Sequence, residues 1–142
     1  MHTILVADDC RSIREYCRAV LQSDGYRVVL ASDGLDAVRV FLEENPDLVV
    51  LDLRMPGASG LDALERIGHF APHVPVVLFT AHEDEWRRDR RAALAAACVE
   101  KTNEDLGKLR RIIAGALEPP GPESGLSPVG LTQPPPSCPV PR

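Results

Sequence analysis

The sequence predicts an α/β protein whose parallel sheet is covered by helices on both faces. Two observations carry this. Five short apolar runs alternate with segments whose apolar residues recur at helical spacing, and the runs are continuously apolar rather than alternating. A strand buried on both faces reads as such a run, and neighbouring parallel strands need a crossover of helix length between them. No repeat at a fixed period is visible beyond the alternation itself.

The elements follow in order. Residues 3–7, TILVA, form the first strand, and residues 11–23 a helix with Ile13, Tyr16, Cys17, Val20 and Leu21 on one face and Gly25 just past its end. RVVLA at 27–31 is the second strand. Ala37, Val38, Phe41 and Leu42 mark a helix that stops before Asn45-Pro46, because the residue before proline is disfavoured in the helical region. LVVLD at 48–52 is the third strand, followed by a turn on Pro56 and Gly57. Ser59 is placed to cap a helix carrying Leu61, Leu64 and Ile67. The fourth strand is 74–80, an Arg-rich helix is expected over 83–94, and the fifth strand is 97–101. Thr102 and Asp105 make a capping-box pattern before Leu106, Leu109, Ile112, Ile113 and Ala116.

Composition bounds what this unit does. The chain has 142 residues, 44% apolar and 26% charged, the balance of one globular domain. Nine of the 13 prolines lie between Pro119 and Pro141, so residues 2–118 are expected to hold the core and 119–142 to form a Pro-rich disordered tail. The net charge of −5 offers no general attraction for DNA, and no segment has the ~20 apolar residues of a membrane span. The four cysteines, Cys10, Cys17, Cys98 and Cys138, show no paired metal-site spacing and read as free thiols of a cytoplasmic protein.

The strands end on an unusual set of polar residues: Asp8-Asp9 after the first, Asp52 after the third, Thr80 at the end of the fourth, Lys101 at the end of the fifth. Ligands of open parallel sheets bind outside the carboxyl ends of the strands. Each residue alone has an ordinary explanation as a helix cap, a turn residue, a β-branched strand residue or a solvated strand end. Jointly they do not, since one of only two lysines among 16 basic residues falls at this edge. Three converging carboxylates require a proton or a cation. Hard oxygen ligands with room for water suit Mg²⁺, and a carboxylate there is able to act as a phosphoryl acceptor. On this reading Asp52 is the acceptor, with Lys101 and Thr80 facing the phosphoryl oxygens.

The segments VADD (6–9), LDLRMPGASG (51–60), VVLFTA (76–81) and EK (100–101) closely resemble the receiver domain of two-component response regulators. The resemblance covers nearly all of residues 2–117. It implies a doubly wound, flavodoxin-like five-stranded parallel sheet of order 2-1-3-4-5. It further implies that Asp52 takes phosphate from a sensor histidine kinase, and that Asp9, Asp52 and the backbone carbonyl of Arg54 ligate Mg²⁺ while Asp8 acts through water. Lys101, Thr80 and Ala81 contact the phosphoryl group or move with it. Arg54 and His82 occupy positions that tune the lifetime of the phosphate.

Three departures from the family pattern stand out. Thr102 replaces the usual proline after the lysine, and a cis bond to a non-proline costs ~2.5–4 kcal/mol, so a trans bond is expected. Cys98 stands at the switch position where the family has Tyr or Phe. Ala93-Leu94-Ala95 replaces the usual Ala-Gly-Ala. Trp86 is a candidate substitute for the missing aromatic. Arg87, Arg88, Arg90 and Arg91 read as a solvated face in which Glu83 and Asp84 pair with Arg87 and Arg88.

The expected function is a stand-alone receiver, not an enzyme, that signals through an unidentified downstream protein or a phosphorelay, without DNA or membrane contact. The chief alternative is a degenerate receiver that binds partners independently of phosphorylation. A phosphatase would want an acid two residues after its nucleophile, where Arg54 stands. A flavin carrier would not place Asp8 and Asp9 against a flavin phosphate.

Overall fold

The computed structural model describes residues 1–55, 57, 59–81, 88–101 and 106–117. Strands β1 (Thr3–Ala7), β2 (Arg27–Ala31), β3 (Leu48–Leu51), β4 (Val76–Thr80) and β5 (Ala97–Glu100) form one parallel sheet in the order β2-β1-β3-β4-β5. This is the doubly wound topology expected from the sequence. Among the described residues the connections are α1 (Arg11–Ser23), α2 (Gly34–Glu44), a 3-10 helix at Arg90–Leu94, and α3 (Gly60–Phe70), with α4 (Gly107–Leu117) following the last strand. None of these helices is long and apolar enough to cross a membrane.

Alternate residues of each strand face opposite layers, and both layers are covered. Ile4, Val6, Val50 and Val77 pack with Cys17 and Leu21 of α1 and Leu109 and Ile113 of α4. Leu5, Val49, Leu51 and Leu78 pack on the other side with Phe41 of α2, Leu64 and Ile67 of α3 and Ala92 of the 3-10 helix. That two-sided burial is why the strands read as unbroken apolar runs.

Local signals set the helix ends. Asp33 caps α2 through the Asp36 backbone N–H, and α2 stops at Asn45, which takes φ 48°. Ser59 and Asp62 form a reciprocal capping box at the start of α3.

Some expectations shift. Tyr16 and Leu42 are exposed, as is Ala116, because the buried stripes are narrower than the apolar sets; on α2 the stripe runs through Ala37, Val40 and Phe41. The helix expected over 83–94 is described only as the 3-10 helix at Arg90–Leu94, and residues 82–87, Trp86 included, lie outside the described residues. Asp89 caps that short helix through the Arg91 backbone N–H, and Ala97 opens β5 three residues past its end. The Arg91 guanidinium pairs with Asp89 and with Asp62 of α3, which ties the 3-10 helix to the neighbouring α-helix. The Glu83 and Asp84 pairs, like the Thr102–Asp105 capping box, lie outside the described residues.

The three described cysteines are free; Cys17 and Cys98 are buried and Cys10 is exposed. Burial, then the charge of Asp8, push the Cys17 thiol up to about 12 despite the opposing charge of Lys101. Native protein treated with iodoacetamide is therefore expected to carry the label on Cys10 and not on Cys17 or Cys98 by peptide mass mapping. Labelling of Cys98 before denaturation would show that the layer around it opens.

Candidate functional site

The site forms where four strand ends meet. Ala7 pairs with Leu51 across β1 and β3, so the next residues, Asp8 and Asp52, leave the sheet side by side. The Asp8 backbone N–H donates to Ala31 O at 3.1 Å, and the Asp52 N–H to Ala7 O at 3.0 Å. Thr80 ends β4 fully buried, and its carbonyl accepts from the Lys101 backbone N–H at 2.9 Å.

Asp8, Asp9 and Asp52 each offer a carboxylate oxygen, and these oxygens lie within 4.8 Å of one another. Asp8 and Asp52 are 2% and 5% exposed, whereas Asp9 is exposed. Lys101 reaches across the sheet end with its ammonium 5.7 Å from the centre of the Phe79 ring. It donates to Asp8 Oδ2 at 2.5 Å and lies 3.2 Å from Asp52 Oδ2. Thr102 after the lysine therefore does not prevent that reach, although Thr102 itself lies outside the described residues.

The three carboxylates differ in how far the protein has already satisfied them. Asp8 Oδ1 accepts from the Cys10 backbone N–H at 2.9 Å, Oδ2 accepts from Lys101, and the Asp8 carbonyl accepts from Arg14 Nη1 at 2.7 Å. Asp52 Oδ1 is buried with no hydrogen-bond partner among the described residues. The Asp9 carboxylate takes no hydrogen bond from them either. An unpaired buried carboxylate oxygen is costly unless a cation or donor arrives.

Electrostatics follow from this placement. Burial pushes the Asp52 carboxyl above its usual range; Lys101 pulls it down, and Asp8 and then Asp9 push it up again. Burial alone would lower the Lys101 ammonium, but the hydrogen bond and charge of Asp8, with those of Asp52, outweigh it and the net shift is upward. One lysine thus compensates two buried carboxylates incompletely, which leaves a net negative notch.

Gly60 holds the loop after β3 against the end of that strand. Its N–H donates to Leu53 O at 2.9 Å, and a Cβ there would lie 1.9 Å from the Asp52 carbonyl oxygen. Gly57 takes φ +76°, which suits glycine in the turn; Pro56 lies outside the described residues.

The remaining sequence-selected residues fall as follows. Arg54 and Ala81 are exposed just past β3 and β4, and His82 lies outside the described residues. Cys98 is 1% exposed inside the layer that also holds Leu78 and Ala92. Arg14 was not singled out from the sequence. Its signal was a basic residue in the first turn of a helix with no acidic residue there, where the helix dipole disfavours a cation.

Comparison with known proteins gives a consistent picture. A match to the family described as the response regulator receiver domain spans residues 4–114. The response regulator MprA of Mycobacterium sp. strain KMS is 32% identical over 127 residues, covering 85% of this chain and 54% of the relative. The chain thus spans about half the length of the curated relatives it matches. Among solved structures, the response regulator TrrA of Thermotoga maritima in complex with Mg(2+)-BeF is 34% identical with a TM-score of 0.77, covering 82% of this chain and all of that one (100%). TrrA in complex with the histidine kinase ThkA aligns at 34% identity and a TM-score of 0.75, covering 83% of this chain and 100% of that one.

Proposed function

The chain belongs to the response regulator receiver domain family, and from that premise we propose that Asp52 accepts a phosphoryl group from a sensor histidine kinase. The observation that carries this is the Asp52 Oδ1 atom, buried without a partner among the described residues, on a carboxylate that also offers an oxygen within 4.8 Å of one from Asp9. An oxygen of Asp52 forms a bond to phosphorus while the P–N bond of a phosphohistidine breaks, and the electron pair stays on the departing imidazole nitrogen. The histidine kinase in complex with TrrA supports the choice of donor.

The donor set fits Mg²⁺: three hard carboxylates close together, one exposed to water. Asp9 and Asp52 would hold the ion, with the Arg54 carbonyl as a further ligand and Asp8 acting through water. The hydrogen bonds that the Asp8 carboxylate already accepts from the Cys10 N–H and Lys101 support that division. Bound Mg²⁺ supplies positive charge to the carboxylates and phosphoryl oxygens. Lys101 shifts from its carboxylate partners toward the phosphoryl oxygens, Thr80 closes on them with Ala81 following, and Arg54 and His82 set how long the phosphate survives.

Signalling then proceeds by phosphorylation-dependent binding of a downstream protein or by passing the phosphoryl group onward, with residues 2–118 acting as the receiver unit. We place it in the cytoplasm, where the free thiols fit a reducing compartment. Cys98, which cannot swing as an aromatic lever, favours a second reading: a receiver that binds its partner without a phosphorylation switch.

Intact mass after incubation with acetyl phosphate and Mg²⁺ tests the proposal. Wild type is expected to gain one labile phosphoryl adduct, and Asp52→Ala none. An adduct that persists in Asp52→Ala, or a wild type that never gains one, overturns it.

A further inference from the structure

We infer that Arg14 is a positioning residue for the metal-binding carboxylate of Asp9, an inference that rests on the function proposed above. The Arg14 side chain runs from the first turn of α1 back to the end of β1, where Nη1 donates to the Asp8 carbonyl oxygen at 2.7 Å. That carbonyl belongs to the peptide joining Asp8 to Asp9, so the bond fixes the plane from which Asp9 departs. Around it the turn is held at every other polar atom of Asp8: the backbone N–H by Ala31, Oδ1 by the Cys10 N–H, Oδ2 by Lys101. Among the described residues the Asp9 carboxylate has no such hold, and its aim depends on the backbone beneath it.

A second observation is independent of that contact. Cations are disfavoured at helix N-termini, yet α1 begins with Arg11, carries Arg14 in the same turn and has no acidic residue there. It also lacks a side-chain cap at Cys10. The helix therefore gives up its own favoured end chemistry, and the Asp8 carbonyl is what the Arg14 guanidinium gains in exchange.

Charge and position predict opposite outcomes on removing this side chain. If Arg14 acted only as a nearby positive charge, its loss would strengthen Mg²⁺ binding. If it aims Asp9, its loss weakens binding while leaving the chemistry of Asp52 in place. Calorimetric titration with Mg²⁺ alone, and the acetyl phosphate adduct rate at limiting and saturating Mg²⁺, separate the two. Arg14→Ala and Arg14→Met, the latter keeping the apolar stem, are expected to raise the Mg²⁺ dissociation constant about tenfold. Their adduct rate at saturating Mg²⁺ is expected to stay within about twofold of wild type. Arg14→Lys, which keeps a donor, recovers most of the affinity. Unchanged or tighter Mg²⁺ binding in the Ala and Met variants overturns the inference, as does a Met variant that fails to fold by far-UV circular dichroism while the Lys variant folds. A wild type that binds no Mg²⁺ removes the phosphoacceptor reading itself and this inference with it.

Discussion

Gly60→Ala is expected to lower the Tm by roughly 10 °C and to weaken Mg²⁺ binding at the acidic site, although residue 60 bears no functional group. The new methyl would stand 1.9 Å from the Asp52 carbonyl oxygen, 2.8 Å from its carbon and 2.8 Å from Leu53 Cα. All three are backbone atoms, so no flexible side chain is available to yield. The Gly60 N–H is also tied to Leu53 O, and the capping box at Ser59 and Asp62 fixes the start of α3 next to it. Relief requires either the helix start or the end of β3 to move. Overpacking of this kind costs about 3 kcal/mol. Moving the end of β3 displaces Asp52 relative to Asp9, which is why metal affinity should fall along with stability. Thermal unfolding and Mg²⁺ titration of the same variant check both. A variant that melts with wild type would mean the loop has slack, and that Asp52 is placed by the sheet alone.

Lys101→Met is the second large effect. It keeps an unbranched apolar side chain and removes the ammonium that compensates Asp8 and Asp52 and lies 5.7 Å from the centre of the Phe79 ring. Stripping one partner from a buried ion cluster costs about 3 kcal/mol, because the remaining charges stay desolvated. The loss should depend on pH. The Asp52 carboxyl, already raised above 3.8 by burial against the opposing pull of Lys101, goes higher when that pull is gone. A group raised in the folded state favours folding below its unfolded value and loses that contribution as pH rises through the folded value. In the absence of Mg²⁺ the variant should therefore be weakest relative to wild type at neutral pH and recover as acid protonates Asp52. Mg²⁺ at neutral pH should restore stability as well, by supplying the missing positive charge. Urea unfolding at neutral and mildly acidic pH, with chelator or with Mg²⁺, measures this. A deficit indifferent to both pH and Mg²⁺ would assign Lys101 a packing role only.

Much of this molecule was legible in its sequence because its strands are buried on both faces. Residues 3–7 and 27–31 were readable to the residue as β1 and β2, and the sheet order followed from the family pattern. The Ser59 cap and the helix stop at Asn45 were local chemistry, visible without neighbours. So was the list of polar residues at the strand ends, since a strand end is a position along the chain.

What the sequence could not state is how those polar residues share one another's charge. That depends on how the folded chain brings atoms together, some from distant elements, Lys101 to Asp8 and Asp52 and Arg91 to Asp62, and some across a single turn, Arg14 to the Asp8 carbonyl and Gly60 to the Asp52 carbonyl. Sequence reading singled out Asp52 as the expected acceptor and, through the family resemblance, separated Asp9 from Asp8, but it could not supply their surroundings. Only their packing made Asp8 hydrogen-bonded and buried, Asp9 exposed, and Asp52 buried with an oxygen unmatched among the described residues, because desolvation and hydrogen bonding are properties of a residue's surroundings and not of its identity.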